Sequence, residues 1–141
     1  MQTIQEIGEN LKEELDLFDD PMDKYEFIIE LGKGMPSMDE SLKTEDRLVK
    51  GCQSKVWLDA KLENGLVKYT ADSNTVITKG IIAILIRLLS DQKPETIAKE
   101  DLSILEAIDL RSHLSSQRSN GLSAMLGLMK QYAAIFSKVS S

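Results

Sequence analysis

The spacing of apolar residues predicts two helices at the start of the chain. Over Ile4–Leu15 they recur every three or four positions, which indicates a helix running to about Phe18 with an acidic opposite face. Asp19–Pro21 then combines capping residues with a first-turn proline and should open a second helix. The apolar side of that helix consists of Tyr25, Ile28, Ile29 and Leu31. We expect Gly32 and Gly34 to end it.

The next part of the chain changes from an aperiodic to an alternating pattern. Ser37–Lys50 is mostly polar and predicts a loop that ends in a short strand at Leu48–Val49. Apolar and polar residues then alternate over Val56–Leu62, which indicates a half-buried strand. Asn64–Gly65 is a favoured dipeptide for a tight hairpin, and Leu66–Ala71 supplies the returning strand. A small antiparallel sheet is therefore expected.

The remaining pattern is helical. Val76 to about Leu89 is strongly apolar and predicts a central helix, with Asp72–Asn74 as candidates for its cap. Shorter helical pieces should follow the polar break at Gln92–Pro94, and a last helix should follow Ser115–Asn120 and run to about Phe136. Strands enclosed by helices, without strand–helix–strand alternation, predict an α+β fold with one antiparallel sheet. We expect a single domain over residues 1–141.

Composition narrows the possible functions. The 141 residues include 17 Lys and Arg against 23 Asp and Glu, which gives a formal net charge of −6 and makes nucleic acid an unsuitable partner. The longest apolar stretch, Ile81–Leu89, contains Arg87 and is much shorter than the roughly 20 residues of a membrane-spanning helix. The first residues lack the charged and apolar regions of a secretion signal. We therefore expect a cytoplasmic protein without a membrane partner.

Cys52 is the only cysteine and His113 the only histidine. One cysteine cannot form an intramolecular disulfide, and one thiolate is too few for an ordinary iron–sulfur or zinc site within a single chain, which argues against a cluster scaffold. Thiol chemistry must therefore use one sulfur at a time. Gly51 precedes Cys52 where the loop turns into a strand, which favours an exposed thiol. Free cysteines are also often buried, so an inert core residue is equally open.

Two chemistries suit a single thiol. A thiolate can attack a sulfur atom bonded to another cysteine and receive that atom as a persulfide. A carrier of this kind has to shelter the persulfide and expose it again, which a loop above an apolar hollow would allow. The alternative is a stand-alone thiol enzyme with Cys52 as nucleophile and His113 as base, which requires the two side chains to lie within hydrogen-bond reach. We expect His113 to be structural.

The residues around Cys52 carry a resemblance to a known family. Gly51–Leu58, with the sequence GCQSKVWL, resembles the signature of the SufE family of sulfur-acceptor proteins. Three other segments resemble this family in the same order: Lys24–Gly32, Ala71–Gly80 and Leu114–Leu122. These matches span residues 24 to 122, and four ordered matches are more specific than one short motif. The first helix, Ile4 to Phe18, matches least.

The resemblance implies a SufE/IscU-like fold with a three-stranded antiparallel sheet and packed helices. It implies that Cys52 accepts persulfide sulfur from a SufS-type, pyridoxal-phosphate-dependent cysteine desulfurase, stimulates that enzyme, and passes the sulfur to an iron–sulfur scaffold of the SufBCD type. The chain would then be an activator rather than an enzyme, with no cofactor or metal of its own, as a monomer or homodimer. The supporting residues that it implies are Gly51, Gln53, Ser54, Asp72 and Arg118.

Two of these positions, and also Trp57 of the signature, have structural explanations. Arg118 could stabilise a thiolate or persulfide anion, or it could be an ordinary surface arginine at the start of a helix. Asp72 lies just before a predicted helix, where an aspartate is usually a cap. Trp57 shares a strand face with Lys55 and Asp59 and either anchors an interface or packs under a covering helix. For Trp57 we expect packing.

Overall fold

The computed structural model describes residues 3–36, 38–49, 55–100 and 116–139, with the side chains of the last helix from 122 to 138. Its elements follow in chain order. They are helices α1 (Ile4–Asp16) and α2 (Pro21–Lys33), two short 3₁₀ turns (Glu40–Leu42 and Glu45–Arg47), strands β1 (Val56–Glu63) and β2 (Leu66–Ser73), and helices α3 (Val76–Leu89), α4 (Pro94–Lys99) and α5 (Ser116–Val139). The α+β prediction with an antiparallel sheet is confirmed.

Local capping signals set the starts of the first two helices. Thr3 and Glu6 form a capping box, in which the Glu6 amide donates to Thr3 Oγ1 and the Thr3 amide donates to Glu6 Oε1. The predicted cap of α2 is confirmed, because Asp20 Oδ1 accepts from the Met22 amide at 2.8 Å and Pro21 follows. Each helix therefore begins where its own sequence satisfies the first free amides.

The prediction that Gly32 and Gly34 end α2 is confirmed for Gly34, which is the C-cap, and is wrong for Gly32. The helix continues to Lys33, and Gly32 lies inside it against Gly80 of α3. A Cβ atom added to Gly80 would lie 2.1 Å from the Ile28 carbonyl oxygen, and one added to Gly32 would lie 2.5 Å from the Gly80 amide nitrogen. The two glycines therefore let the helix backbones touch, which is why glycine stands at these positions.

The sheet is a hairpin in which β1 pairs antiparallel with β2, from Val56 opposite Ser73 to Glu63 opposite Leu66. Asn64 and Gly65 both have positive φ, at 54° and 79°, as a type I′ turn requires. The hairpin prediction is confirmed, although β2 extends two residues beyond Ala71.

The predicted third strand is not formed among the described residues, where the sheet has two strands. Leu48 makes one isolated antiparallel bridge to Trp57. The 3₁₀ turn that ends at Arg47 leaves only Leu48 and Val49 extended before the undescribed stretch, so this pairing is too short to count as a strand.

Helix α3 lies at the centre of the core, as its near-continuous apolar sequence predicts. It packs against α1, α2, α5 and β2. Its side chains Ile84, Leu85, Leu88 and Leu89 are fully buried. No helix in the described ranges combines the length and the apolar character needed to cross a bilayer.

Helix α5 closes the core over the hairpin. The Tyr69 hydroxyl donates to the Met129 carbonyl oxygen at 2.7 Å, and burial raises the pKa of Tyr69 above its usual range. Tyr69 therefore remains neutral and joins β2 to α5.

Candidate functional site

Most of the predicted site residues lie outside the described part of the chain. These are Gly51, Cys52, Gln53 and Ser54, together with the alternative base His113. Arg118 lies in the first turn of α5, and the description does not extend to its side chain. Of the predicted site residues, Asp72 alone has a described side chain, so the geometry below concerns Asp72 and the chain on either side of residues 50–54.

Backbone contacts bring the two sides of the cysteine loop together. The Val49 amide donates to the Val56 carbonyl oxygen at 2.8 Å, beside the bridge between Leu48 and Trp57. The chain that enters residues 50–54 and the chain that leaves them are therefore antiparallel neighbours. We call this pairing the loop entry.

A second contact fixes Lys55, the first described residue after Cys52. The Lys55 amide donates to Asn74 Oδ1 at 3.1 Å, and the Asn74 amide donates back to the Lys55 carbonyl oxygen at 3.2 Å. Asn74 lies just before α3, so this contact ties the end of the cysteine loop to the start of the central helix. We call it the loop exit.

Asp72 is a buried carboxylate, 3% exposed, on β2 opposite Trp57. Its Oδ2 lies 3.0 Å from Lys43 Nζ, and its Oδ1 lies 3.3 Å from Lys79 Nζ and accepts from the Ser73 amide at 2.8 Å. Burial by itself would raise the pKa of Asp72, but the hydrogen bonds from Lys43, the Ser73 amide and Lys79 outweigh it and lower the pKa. Asp72 is therefore ionised and fully partnered.

The cap interpretation of Asp72 is wrong. The N-cap of α3 is Thr75, whereas Asp72 lies within β2 and points to two lysines. The Ser73 hydroxyl oxygen accepts from the Thr75 amide at 3.3 Å. The hairpin runs two residues further than its pattern suggested, and this places Asp72 in the strand.

Lys43 lies in the segment before the loop entry and contacts Asp72 of the sheet. Sequence reasoning missed this residue. Its Nζ lies 3.0 Å from both Asp72 Oδ2 and Glu40 Oε1, and 5.5 Å from the centroid of the Trp57 ring. Hydrogen bonds to Asp72 first and Glu40 second raise the pKa of Lys43. No local signal identifies this lysine, because its partners on the sheet come later in the chain. The half-buried Trp57 ring lies beneath Lys43, and its packing under a covering helix stays a prediction.

A groove of about 450 Å³ begins at the loop entry, between the segment before Cys52 and α5. We call it the loop-side groove. Its lining residues are Asp46, Leu48, Val49, Ala124, Gly127, Leu128, Gln131 and Tyr132. Arg47 lies between the lining residues Asp46 and Leu48 and attaches this segment to β1, because its Nε donates to Asp59 Oδ1 at 3.1 Å. Its Nη1 donates to Thr44 Oγ1 at 3.1 Å. A groove lined by both apolar and polar side chains thus lies next to Leu48 and Val49, which precede the cysteine loop.

The family model described as "SufE: Fe-S metabolism associated domain" matches residues 9–133. The chain belongs to the SufE family. An uncharacterized SufE-like protein of Rhizobium meliloti is 38% identical over 116 residues, which cover 79% of this chain and 83% of that protein. SufE-like protein 1, chloroplastic/mitochondrial, of Arabidopsis thaliana is 36% identical over 137 residues, which cover 94% of this chain and 37% of that protein. The predicted resemblance is confirmed.

A solved structure shares the fold. The solution structure of a hypothetical protein from Thermus thermophilus matches this SufE-family chain with a TM-score of 0.73, covering 93% of this chain and 96% of that one at 20% identity. Membership of the SufE family associates the chain with iron–sulfur metabolism. The family match over residues 9–133 includes Cys52, Asp72 and Arg118. The roles of these three residues stay predictions.

Proposed function

We propose that the chain is a sulfur carrier that accepts a persulfide sulfur on Cys52 from a SufS-type cysteine desulfurase. It stimulates that enzyme and delivers the sulfur to an iron–sulfur scaffold of the SufBCD type. The observation that carries this proposal is the SufE family match over residues 9–133, which includes the only cysteine of the chain. The cytoplasmic location and the lack of a bound cofactor stay predictions.

The transfer step is a displacement at sulfur. The Cys52 thiolate attacks the terminal sulfur of a cysteine persulfide on the donor, and a new bond joins Cys52 Sγ to that sulfur. The bond between the terminal sulfur and the donor's cysteine breaks, and that cysteine leaves as a thiolate. One sulfane sulfur moves, so no further oxidant or reductant is consumed. Delivery repeats the step with Cys52 as the leaving thiolate.

The loop-side groove supports the sheltering part of this role. Cys52 is three residues from Val49, and three residues of extended chain span at most roughly 11 Å. Val49 itself lines the groove, and this short separation along the chain is what supports a role of the groove in sheltering the persulfide. A persulfide placed there would be protected from thiols in solution.

Intact-protein mass spectrometry tests the proposal. Incubation with a SufS-type desulfurase and free cysteine should add the mass of one sulfur atom, and a reductant should remove it. The Cys52→Ser variant should gain nothing. If the parent protein gains no mass, or if the variant gains it too, the carrier role is wrong. Ester or peroxide turnover by the isolated protein that depends on His113 would favour the thiol enzyme instead.

Sheltering by the groove can be tested separately. Leu128→Gln places an amide in the loop-side groove, and we expect the loaded persulfide to be lost to glutathione about threefold faster, since a polar lining admits water and thiols. Ile135→Gln is the matched control, because Ile135 lies on the same helix but is 58% exposed and lies outside the groove. Equal persulfide lifetimes in both variants would contradict sheltering by this groove while leaving the carrier role intact.

A further inference from the structure

A second groove lies along the outer face of α2 and shares no residue with the cysteine loop or the loop-side groove. Its volume is about 460 Å³. We call it the α2 groove. Its apolar floor is formed by Phe18, Phe27 and Ile29, and its rim carries Asp23, Glu26 and Glu30.

The floor of the α2 groove is aromatic and remains partly open to solvent. The ring centroids of Phe18 and Phe27 are 5.3 Å apart at an interplanar angle of 38°, so each ring fixes the other. Both rings are only partly buried. Apolar surface that remains exposed around a fixed aromatic pair is typical of a contact site for another protein.

The rim of the α2 groove is acidic. Asp23, Glu26 and Glu30 follow one another at helical spacings of three and four, so their carboxylates lie along one face. The only cation that lines the groove among the described residues is Lys33, which pairs with Glu30 at 3.2 Å. Three carboxylates and one lysine give the lining a formal charge of −2.

Helix stability explains only part of this acidic rim, since Glu30 pairs with Lys33 three residues further on. Asp23 lies in the first turn of α2, where negative charge is favourable, but Glu30 lies in the last turn, where it opposes the helix dipole. Glu26 lies between the two. The net charge of −2 that remains along the groove favours a positively charged partner.

We infer that the α2 groove binds a basic amphipathic segment of a partner protein. An aromatic or aliphatic side chain of that segment would pack on Phe18 and Phe27, and its Lys or Arg side chains would pair with Glu26 and Glu30. The acidic rim repels nucleic acid and anionic lipid surfaces, which leaves a protein segment as the occupant that fits both the charge and the apolar floor. The inference does not depend on sulfur transfer at Cys52.

Nuclear magnetic resonance with two synthetic helical peptides tests this inference on the full chain. One peptide presents leucines on one face flanked by lysines, and the other has glutamates in place of the lysines. The lysine peptide should shift the amide resonances of Phe18, Phe27 and Glu30, and the glutamate peptide should bind about tenfold more weakly or not at all. Added salt should weaken the lysine peptide's binding. If the lysine peptide leaves these resonances unchanged, the inference is wrong.

Charge reversal locates the contact. Glu26→Lys combined with Glu30→Lys should weaken binding of the lysine peptide about tenfold. Glu9→Lys combined with Glu13→Lys is the matched control, because these are exposed carboxylates four residues apart on α1 that do not line the groove, and binding should stay within about twofold. An equal loss in both variants would mean that general charge attracts the peptide and would overturn the site. Cys52→Ser should bind like the parent, so failure of this inference and failure of sulfur loading are separate results.

Discussion

Two neighbouring residues of α3, Lys79 and Gly80, hold that helix in different ways. Lys79 faces the sheet and pairs with the buried Asp72, whereas Gly80 faces α2 and brings its backbone against Ile28. The first contact depends on charge and the second on the absence of a side chain. The stability contributed by the end of α3 nearest the cysteine loop should therefore depend on pH. The stability contributed by its crossing with α2 should depend only on the volume of the side chains there.

The largest effect is expected at the crossing. Gly80→Ala places a Cβ atom 2.1 Å from the Ile28 carbonyl oxygen, so α2 and α3 must move apart, and the free energy of unfolding should fall by about 3 kcal/mol. Urea unfolding measures this loss. Gly127→Ala is the control, because an added Cβ meets nothing within 4 Å there and should instead stabilise α5 by up to about 1 kcal/mol. Equal stability of the two variants would contradict a tight crossing.

A smaller loss is expected when the charge of Asp72 is removed without a change in shape. Asp72→Asn leaves Lys43 and Lys79 without their buried carboxylate and should lower the free energy of unfolding by about 1–2 kcal/mol, since both lysines still reach solvent. Urea unfolding at pH 7 measures it. Asp16→Asn removes the exposed carboxylate beside Lys12 and should cost clearly less. If Asp72→Asn is as stable as the parent, the ion pairs of Asp72 with Lys43 and Lys79 contribute little to the free energy of unfolding.

The pH dependence of stability sharpens the same contrast. The folded protein lowers the pKa of Asp72 below the usual 3.8, so the unfolded chain binds the proton first as pH falls. The contribution of Asp72 is therefore complete above about pH 5 and disappears as pH falls through 3.8 toward the folded value. Unfolding curves of the parent and Asp72→Asn should differ most at pH 7 and approach each other as pH falls below 3.8. A constant difference over this range would contradict an ionised Asp72.

The smallest effect is expected at Lys43 and can be detected optically. Trp57 is the only tryptophan, so its fluorescence reports directly on the ring beneath Lys43. Lys43→Met removes the ion pairs to Asp72 and Glu40, which should loosen the cover of the ring and shift the emission slightly to longer wavelength. Lys61→Met, on the exposed part of β1, should leave the spectrum unchanged. An unshifted spectrum for Lys43→Met would mean that the ring is covered without this lysine.

The predictions from the sequence were most accurate for local features that adjacent residues determine. The cap at Asp20 and the turn at Asn64–Gly65 are each determined by neighbouring residues, and both are found as expected. The errors lie where distant contacts decide. Gly32 has the pattern of a helix end but serves the crossing with Gly80, and Asp72 has the pattern of a cap but faces Lys43 and Lys79.

The candidate site could be predicted only in part for the same reason. Cys52 was identified because it is unique and because its neighbours resemble a known signature, both of which are sequence properties. Lys43 was missed because nothing near it in the chain indicates its ion pair with Asp72. The loop-side groove was equally hidden, since it forms between segments that are far apart in sequence.

The loop entry is made of main-chain atoms, from the Val49 amide to the Val56 carbonyl, whereas the loop exit uses the side chain of Asn74. Any residue except proline at position 49 offers the same amide, so the loop entry tolerates a change of side chain there. The loop exit has no such freedom, because it needs the side-chain oxygen of Asn74 as the acceptor of the Lys55 amide.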